Sequence, residues 1–540
     1  MRRPFVLLST LLAVILALAA PLAAQTQGQA PDADPASVLG DLEAFMAQAM
    51  GEWDVPGAAV AVVKGGRTIY ARGFGLRDVE KKLPVTPDTV FAIGSCTKAF
   101  TAAALCLLSD EGRLGLDTPV RDALPAFRLH DDYATAHVTP RDMLLHRTGL
   151  PRYDALLELR PDLDRQGLVD ALRHLRPNKE LRAGFEYSNL MYVAAGRLVE
   201  VVSGTSWEDF VAERFFAPLG MASATFTPKR SQESADHAKP YALRRGKVVD
   251  IPFRDITPFG PAGSINASAS DMARWLAFHL GDGRYGDVPI LSKAALTRLH
   301  TPQIITPSGE PNPEIPFGGY GLGWGVTAYR GHLLVLHDGE IDGFKALASI
   351  MPDDDLGVVV LTNRMGTPLP EIVAFQVYDR LLGLSPFPWG ERAKTRRAEA
   401  EKAEAARRDA AKKNPANPAP PTHPLDAYAG TYVHPAFGKV VIAHRDKALA
   451  AVLGGETIPL VHATYDVFRT GQSPEAEERD EPSEGLSLKF QMDDSGAISR
   501  LDIPLQPNAK DIVFTRVKTE PGQSGQSGGS VDATQGATRP

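Results

Sequence analysis

Apolar positions along this chain change their period several times, and each change predicts an element. Val38 to Met50 repeats at helical spacing. Ala58 to Val63 is a continuous apolar run, and Thr68 to Phe74 follows it across Lys64-Gly65-Gly66-Arg67, which predicts a β-hairpin. Thr97 to Leu108 is rich in Ala and Leu, the make-up of a buried helix that Gly112 can stop. Thr139-Pro140 opens a short helix that ends at Thr148-Gly149-Leu150-Pro151. Helical spacing prevails from Leu168 to about Leu299, including Leu190 to Ser203 and Ser270 to Leu280. The β pattern returns at Leu333 to Leu336, Ala346 to Met351 and Gly357 to Thr362, before a helix over Pro370 to Leu382. Strands at both ends with helices between predict an α/β (α+β) domain: one sheet built from both ends, carrying a helical insertion.

From Ser385 the pattern is different. Arg392 to Lys413 alternates Ala with charges, a solvated helix, and Asn414 to Pro424 is Pro-rich and extended, so residues 385–424 read as a linker. Beyond it come eight short β-like runs: Thr431 to Val433, Lys439 to Ala443, Ala448 to Leu453, Thr457 to Val461, Val467-Phe468, Leu486 to Met492, Ile498 to Ile503 and Ile512 to Val517. Turn residues separate them, which predicts a small antiparallel barrel or sandwich over 425–518. The Gly/Ser/Gln-rich 519–540 is expected to be disordered. At the other end, Arg2-Arg3, an apolar run from Phe5 to Ala20 and small residues before Gln25 have the form of a secretory signal, 1–24. The first folded domain is then 36–384, and the expected location is periplasmic or secreted.

Composition narrows the function. A net charge of −7 over 540 residues, with no basic stripe, argues against nucleic acid. No later stretch reaches the apolar length of a membrane span. Cys96 and Cys106 are the only cysteines, and about 15 Å of helix between them is too far for a disulfide. The thirteen histidines fall into no metal-ligand spacing, so neither metal nor cofactor is expected.

Candidate chemistry begins at Ser95-Cys96-Thr97-Lys98, the one Ser-x-x-Lys in the chain. Three residues apart at a helix start, the Lys98 amine can reach the Ser95 hydroxyl, and apolar surroundings lower a lysine's basicity enough for it to take a proton. Read alone, so short a pattern is more simply a plain N-cap serine and a solvated lysine. Tyr187-Ser188-Asn189 offers a phenol and a carboxamide on one side of an extended stretch, and Lys98 nearby would stabilise a phenolate. Alone, Tyr187 is an ordinary half-buried aromatic. His337-Asp338-Gly339 stands at the end of a strand, where Gly339 permits close approach and the imidazole can donate to a substrate; alone, it is a turn histidine. A Gly-x-Ser-x-Gly pattern over Gly525 to Gly529 lies in the low-complexity tail, with no strand or helix to make it a nucleophile elbow.

In this order the three motifs resemble the serine β-lactamase and penicillin-binding protein superfamily in its class C-like branch, whose signatures are Ser-x-x-Lys, Tyr-x-Asn and Lys-Thr-Gly or His-x-Gly. The resemblance runs from about Leu42 to Leu382, with supporting phrases at Leu144 to Pro151, Pro261 to Ser264 and Tyr320 to Trp324. It implies acyl transfer through Ser95, with Lys98 and Tyr187 as proton carriers and Asn189, His337, Gly339 and Glu340 binding substrate, the Glu340 N–H joining that of Ser95 around the oxyanion. The implied substrates are small amides, peptides, D-amino-acid peptides among them, or esters. A class C-like β-lactamase and a non-catalytic relative are the alternatives; a neutral histidine where relatives carry a lysine weakens the anchor for a β-lactam carboxylate. Leu425 to Val517 resembles the lipocalin-like β domain of some members, which borders the active site or builds homo-oligomers.

Overall fold

The computed structural model describes residues 38–307, 312–413, 419–471 and 485–518. The expected export signal, the Gly/Ser/Gln-rich tail and the Gly525 to Gly529 pattern lie outside the described residues.

The interior strand Gly57–Lys64 shows why the apolar run is continuous. Ala58, Val60 and Val62 enter a core with Leu42, Met46, Val373 and Tyr378, on the side of helices Leu42–Glu52 and Leu369–Leu381. Ala59, Ala61 and Val63 enter a second core with Phe100, Trp275 and Leu276, on the side of helices Thr97–Asp110 and Ala269–Leu280. A strand covered on both faces has no polar side. The hairpin to Arg67–Asp78 turns on Gly65 and Gly66, both at positive φ (60° and 66°), as a two-residue turn of this hand requires.

The sheet has nine antiparallel strands, in the order Ile304–Ile305, Gly319–Tyr320, Gly325–Tyr329, His332–Ile341, Phe344–Met351, Leu356–Thr362, Gly57–Lys64, Arg67–Asp78, Leu83–Pro84. Ala61 lies opposite Val359, so the two ends of the first domain are joined as expected. One strand is longer than expected. His332–Ile341 runs through the His337 motif, because Phe344–Met351 pairs with it as far as Ile341, opposite Phe344. On its other side Gly325–Tyr329 stops at Leu336, leaving the edge from His337 to Ile341 outside that pairing.

The expected linker starts later than 385. Trp389 is buried, its Nε1 donating to the Tyr329 hydroxyl at 3.0 Å and its ring against Phe375 and Phe387, so the first domain's packing includes the start of the Trp389–Lys413 helix.

The eight runs of the C-terminal region form a closed antiparallel barrel from Gly430–His434 to Ile512–Arg516. Its first strand pairs with its last, Tyr432 opposite Arg516, which leaves no open edge. Tyr432, Phe468, Phe490, Leu501 and Phe514 fill the interior. The barrel rests on the helical insertion: Phe437 meets Tyr153 edge-to-face at 6.0 Å, and the Asn178 amide donates to the Asn508 carbonyl at 2.6 Å. No helix among the described residues is long and apolar enough to cross a membrane.

Candidate active site

Ser95 stands in a 3-10 turn, Gly94–Cys96, that runs directly into the Thr97–Asp110 helix. Nearly every residue of that helix is buried, Lys98 included, at 0% exposure. The helix is held against residues 261–265: Thr101 donates to the Pro261 carbonyl at 2.7 Å, and Ile265 N–H to Thr97 Oγ1 at 3.1 Å. This docking gives Lys98 a partner that was not foreseen. Its Nζ donates to the Ala262 carbonyl at 2.6 Å and to Ser95 Oγ at 3.0 Å. Burial, with Arg152 nearby, brings its pKa down to about 7.

Tyr187 arrives from the extended stretch before the Asn189–Ser203 helix, its hydroxyl donating to Ser95 Oγ at 2.9 Å. Here the expectation of a phenolate meets a stronger effect. Burial pushes the phenol well above its usual range, outweighing the Ser95 hydrogen bond and Arg152, so at neutral pH Tyr187 keeps its proton and Lys98 is the group that can lose one. His146 stacks on the Tyr187 ring at 4.3 Å and accepts from Ser188 N–H at 3.0 Å, fixing the stretch that carries both motif residues. Its burial holds it well below the ordinary histidine range, hence uncharged beside Lys98.

Asn189 is not free. Its Nδ2 donates to both carboxylate oxygens of Asp154, at 3.0 and 3.1 Å, and Asp154 accepts from Arg152 Nε at 2.7 Å. The Arg152 guanidinium in turn lies 5.0 Å from the Tyr187 ring centre. Motif reading missed Arg152 and Asp154, although they directly follow Thr148-Gly149-Leu150-Pro151. The signal was two opposite charges beside a recognised phrase.

His337 takes a different role from the one expected. Its Nδ1 lies 2.6 Å from the Asp338 carbonyl and its Nε2 2.9 Å from the Tyr320 hydroxyl, so the ring donates to the main chain and accepts from the phenol. With both nitrogens engaged, the imidazole has no donor left for a substrate, and burial lowers its pKa to about 4. What the motif supplies is main chain. A Cβ on Gly339 would stand 1.9 Å from the Ile93 carbonyl and 2.8 Å from Ser95 N, so only glycine lets this strand reach the nucleophile. Gly94, at φ 51°, comes as close to the strand from the other side: a Cβ there would be 2.8 Å from Glu340 N. The two segments that carry the Ser95 and Glu340 main-chain nitrogens are therefore in close contact, and both residues line one cavity. The Glu340 carboxylate is turned to the Gly366 N–H, at 2.9 Å.

Ser95, Arg152, Asp154, Asn189, Glu340 and Asp342 are among the residues that line one cavity of about 210 Å³. Of the sequence-predicted residues, Ser95, Asn189 and Glu340 line it, and Lys98, Tyr187 and Gly339 come together on Ser95. His337 packs behind. Among the described residues no group of three or more His, Cys, Asp or Glu is placed to hold a metal ion. Chemically, this is a serine flanked by a buried amine of lowered basicity and a protonated phenol, with main-chain nitrogens opposite: a set suited to acyl transfer.

Residues 42–381 match the model of the family described as Beta-lactamase, and residues 414–516 that of a domain of unknown function, DUF3471. The unguisins hydrolase ungD' of Aspergillus campestris is 30% identical over 427 residues, 74% of this chain and 77% of that protein. Among solved structures, the octameric penicillin-binding protein homologue from Pyrococcus abyssi superposes with a TM-score of 0.58 at 26% identity, over 88% of this chain and 100% of its own. The D-amino acid amidase of Ochrobactrum anthropi SV3 gives 0.53 at 25% identity, over 64% and 98%.

Proposed function

The chain belongs to the beta-lactamase family, and we propose that within it the protein is an exported serine amidohydrolase, cleaving small amides, short peptides or esters through an acyl-Ser95 intermediate. The observation that carries this reading is the convergence of Lys98 and Tyr187 on one oxygen, Ser95 Oγ. Neutral Lys98 takes the Ser95 proton as Oγ attacks the substrate carbonyl. The oxyanion forms toward the Ser95 and Glu340 N–H groups. Tyr187 and Lys98 return a proton to the leaving group, and water then releases the acyl group by the same proton path.

Charge in the cavity supports a substrate class. Arg152 pairs with Asp154 and Arg254 with Glu158, and the Glu340 carboxylate is turned to the Gly366 N–H, which leaves the Asp342 carboxylate in the cavity without an ion pair among the described residues. The surplus is negative, and the histidine that replaces a cationic anchor is neutral. A substrate bearing an ammonium beside the scissile carbonyl fits this balance; a β-lactam, which carries a carboxylate, does not. The likeness to a D-amino acid amidase points the same way. Export rests on the Met1 to Gln25 segment alone.

The test is a side-by-side assay of purified protein on D- and L-amino-acid p-nitroanilides, their N-acetylated forms, p-nitrophenyl acetate and a chromogenic cephalosporin. Free-amine anilides should be preferred over acetylated ones, and Asp342→Asn should narrow that gap. Turnover of the cephalosporin alone would overturn the reading in favour of a β-lactamase, and no turnover with no Ser95 adduct would leave a non-catalytic relative.

A further inference from the structure

The turn at Arg152-Tyr153-Asp154 is held from outside its own domain. Tyr153 sits in the left-handed region at φ 49°, unfavourable for any residue with a Cβ, and such a conformation persists only where the surroundings impose it. The surroundings here come from both domains. The Tyr153 ring is buried against Phe437 of the barrel, and its hydroxyl donates to the Arg176 carbonyl at 2.7 Å. One residue on, the Asp154 N–H donates at 3.1 Å to Oε1 of Gln506, which stands between barrel strands Ile498–Ile503 and Ile512–Arg516.

From Asp154 the chain of contacts enters the cavity. The carboxylate takes both of its Asn189 hydrogen bonds from Nδ2, while Asn189 Oδ1 is buried with no partner among the described residues. Asp154 therefore sets the orientation of that carboxamide. Arg152 and Asp154 both line the cavity, whereas Ser95, Lys98 and Tyr187 make no hydrogen bond to the barrel among the described residues.

We propose that Gln506 and Phe437 are positioning residues of the active site: they clamp the strained turn so that Asp154 holds Asn189, and the barrel thereby sets how the site binds the amide part of a substrate. The proposal rests on the Ser95 acyl-transfer reading for its kinetic consequence but not for the clamp itself. Because the nucleophile and its proton carriers are anchored in the first domain, loosening the clamp weakens amide binding more than it slows chemistry.

The experiment uses the full-length protein with Gln506→Ala, which removes the acceptor, and Gln506→Glu, which keeps one. In Gln506→Ala, KM for an amino-acid p-nitroanilide should rise about five- to tenfold, the weight of one hydrogen bond, with kcat nearly unchanged. The kcat/KM for p-nitrophenyl acetate, which has no amide, should move less than about twofold, and Gln506→Glu should restore the wild-type KM. Hydrogen exchange at the Asp154 amide should quicken in Gln506→Ala and recover in Gln506→Glu. Unchanged exchange, or equal losses on both substrates without rescue, would overturn the proposal. If the wild type turns over neither substrate, the acyl-transfer reading has failed and the exchange result alone decides the clamp.

Discussion

Lys98 Nζ lies 4.9 Å from the centre of the Tyr187 ring, and both side chains bond to the same Ser95 oxygen. Two donors on one hydroxyl leave the serine proton only one way out: an acceptor must form. Since burial keeps the phenol protonated and lowers the amine to about 7, that acceptor is Lys98 after it has lost its own proton.

Ser95→Ala should lower turnover about 10⁴-fold or more. A fluorophosphonate probe should label the wild-type peptide containing Ser95 and no other, read by mass spectrometry. An adduct on another serine would refute the assignment.

The pH profile follows from Lys98. An ammonium cannot accept the Ser95 proton, so kcat/KM should rise with pH and level off above the lysine's pKa of about 7. Lys98→Arg, charged at every working pH, should be inactive throughout. Stability carries the same signature. Unfolded, the lysine holds its proton to about pH 10.4; folded, it loses it near 7. Between those values the unfolded state binds more protons, so this group's cost to stability is full below pH 7 and falls as pH rises. The difference in Tm between wild type and Lys98→Met should move in favour of wild type from about pH 6 to about pH 9. A pH-independent difference would show that Lys98 stays charged when folded.

Lys98→Ala and Tyr187→Phe should each cost about 10²-fold or more in kcat, and the double variant little more than the worse single, because partners in one proton path fail together. Losses that multiply would mean separate roles.

Gly339→Ala forces a methyl into the space where the Ile93 carbonyl stands 1.9 Å from an ideal Cβ. The strand must back away from Ser95 and take the Glu340 N–H with it. A loss of about 10²-fold in kcat/KM is expected, with slower fluorophosphonate labelling. Wild-type labelling would show that the approach is not needed.

Sequence alone settled what local chemistry and periodicity settle. Ala58 to Val63 and Gly357 to Thr362 were legible as strands because a run covered on both faces is continuously apolar, and the eight barrel strands because turn residues punctuate them. Ser95 and Lys98 were legible as a pair because three residues at a helix start share a face. Tertiary structure decided everything that depends on what lies opposite. It turned His337 inward, since Tyr320 and the Asp338 carbonyl compete for its nitrogens more closely than a substrate can. It kept the Tyr187 proton, since desolvation outweighs nearby cations. It drew Trp389 into the first domain, and it tied Asp154 to Asn189 across 35 positions and to Gln506 across 352. No periodicity encodes such contacts; they exist only once distant surfaces have packed.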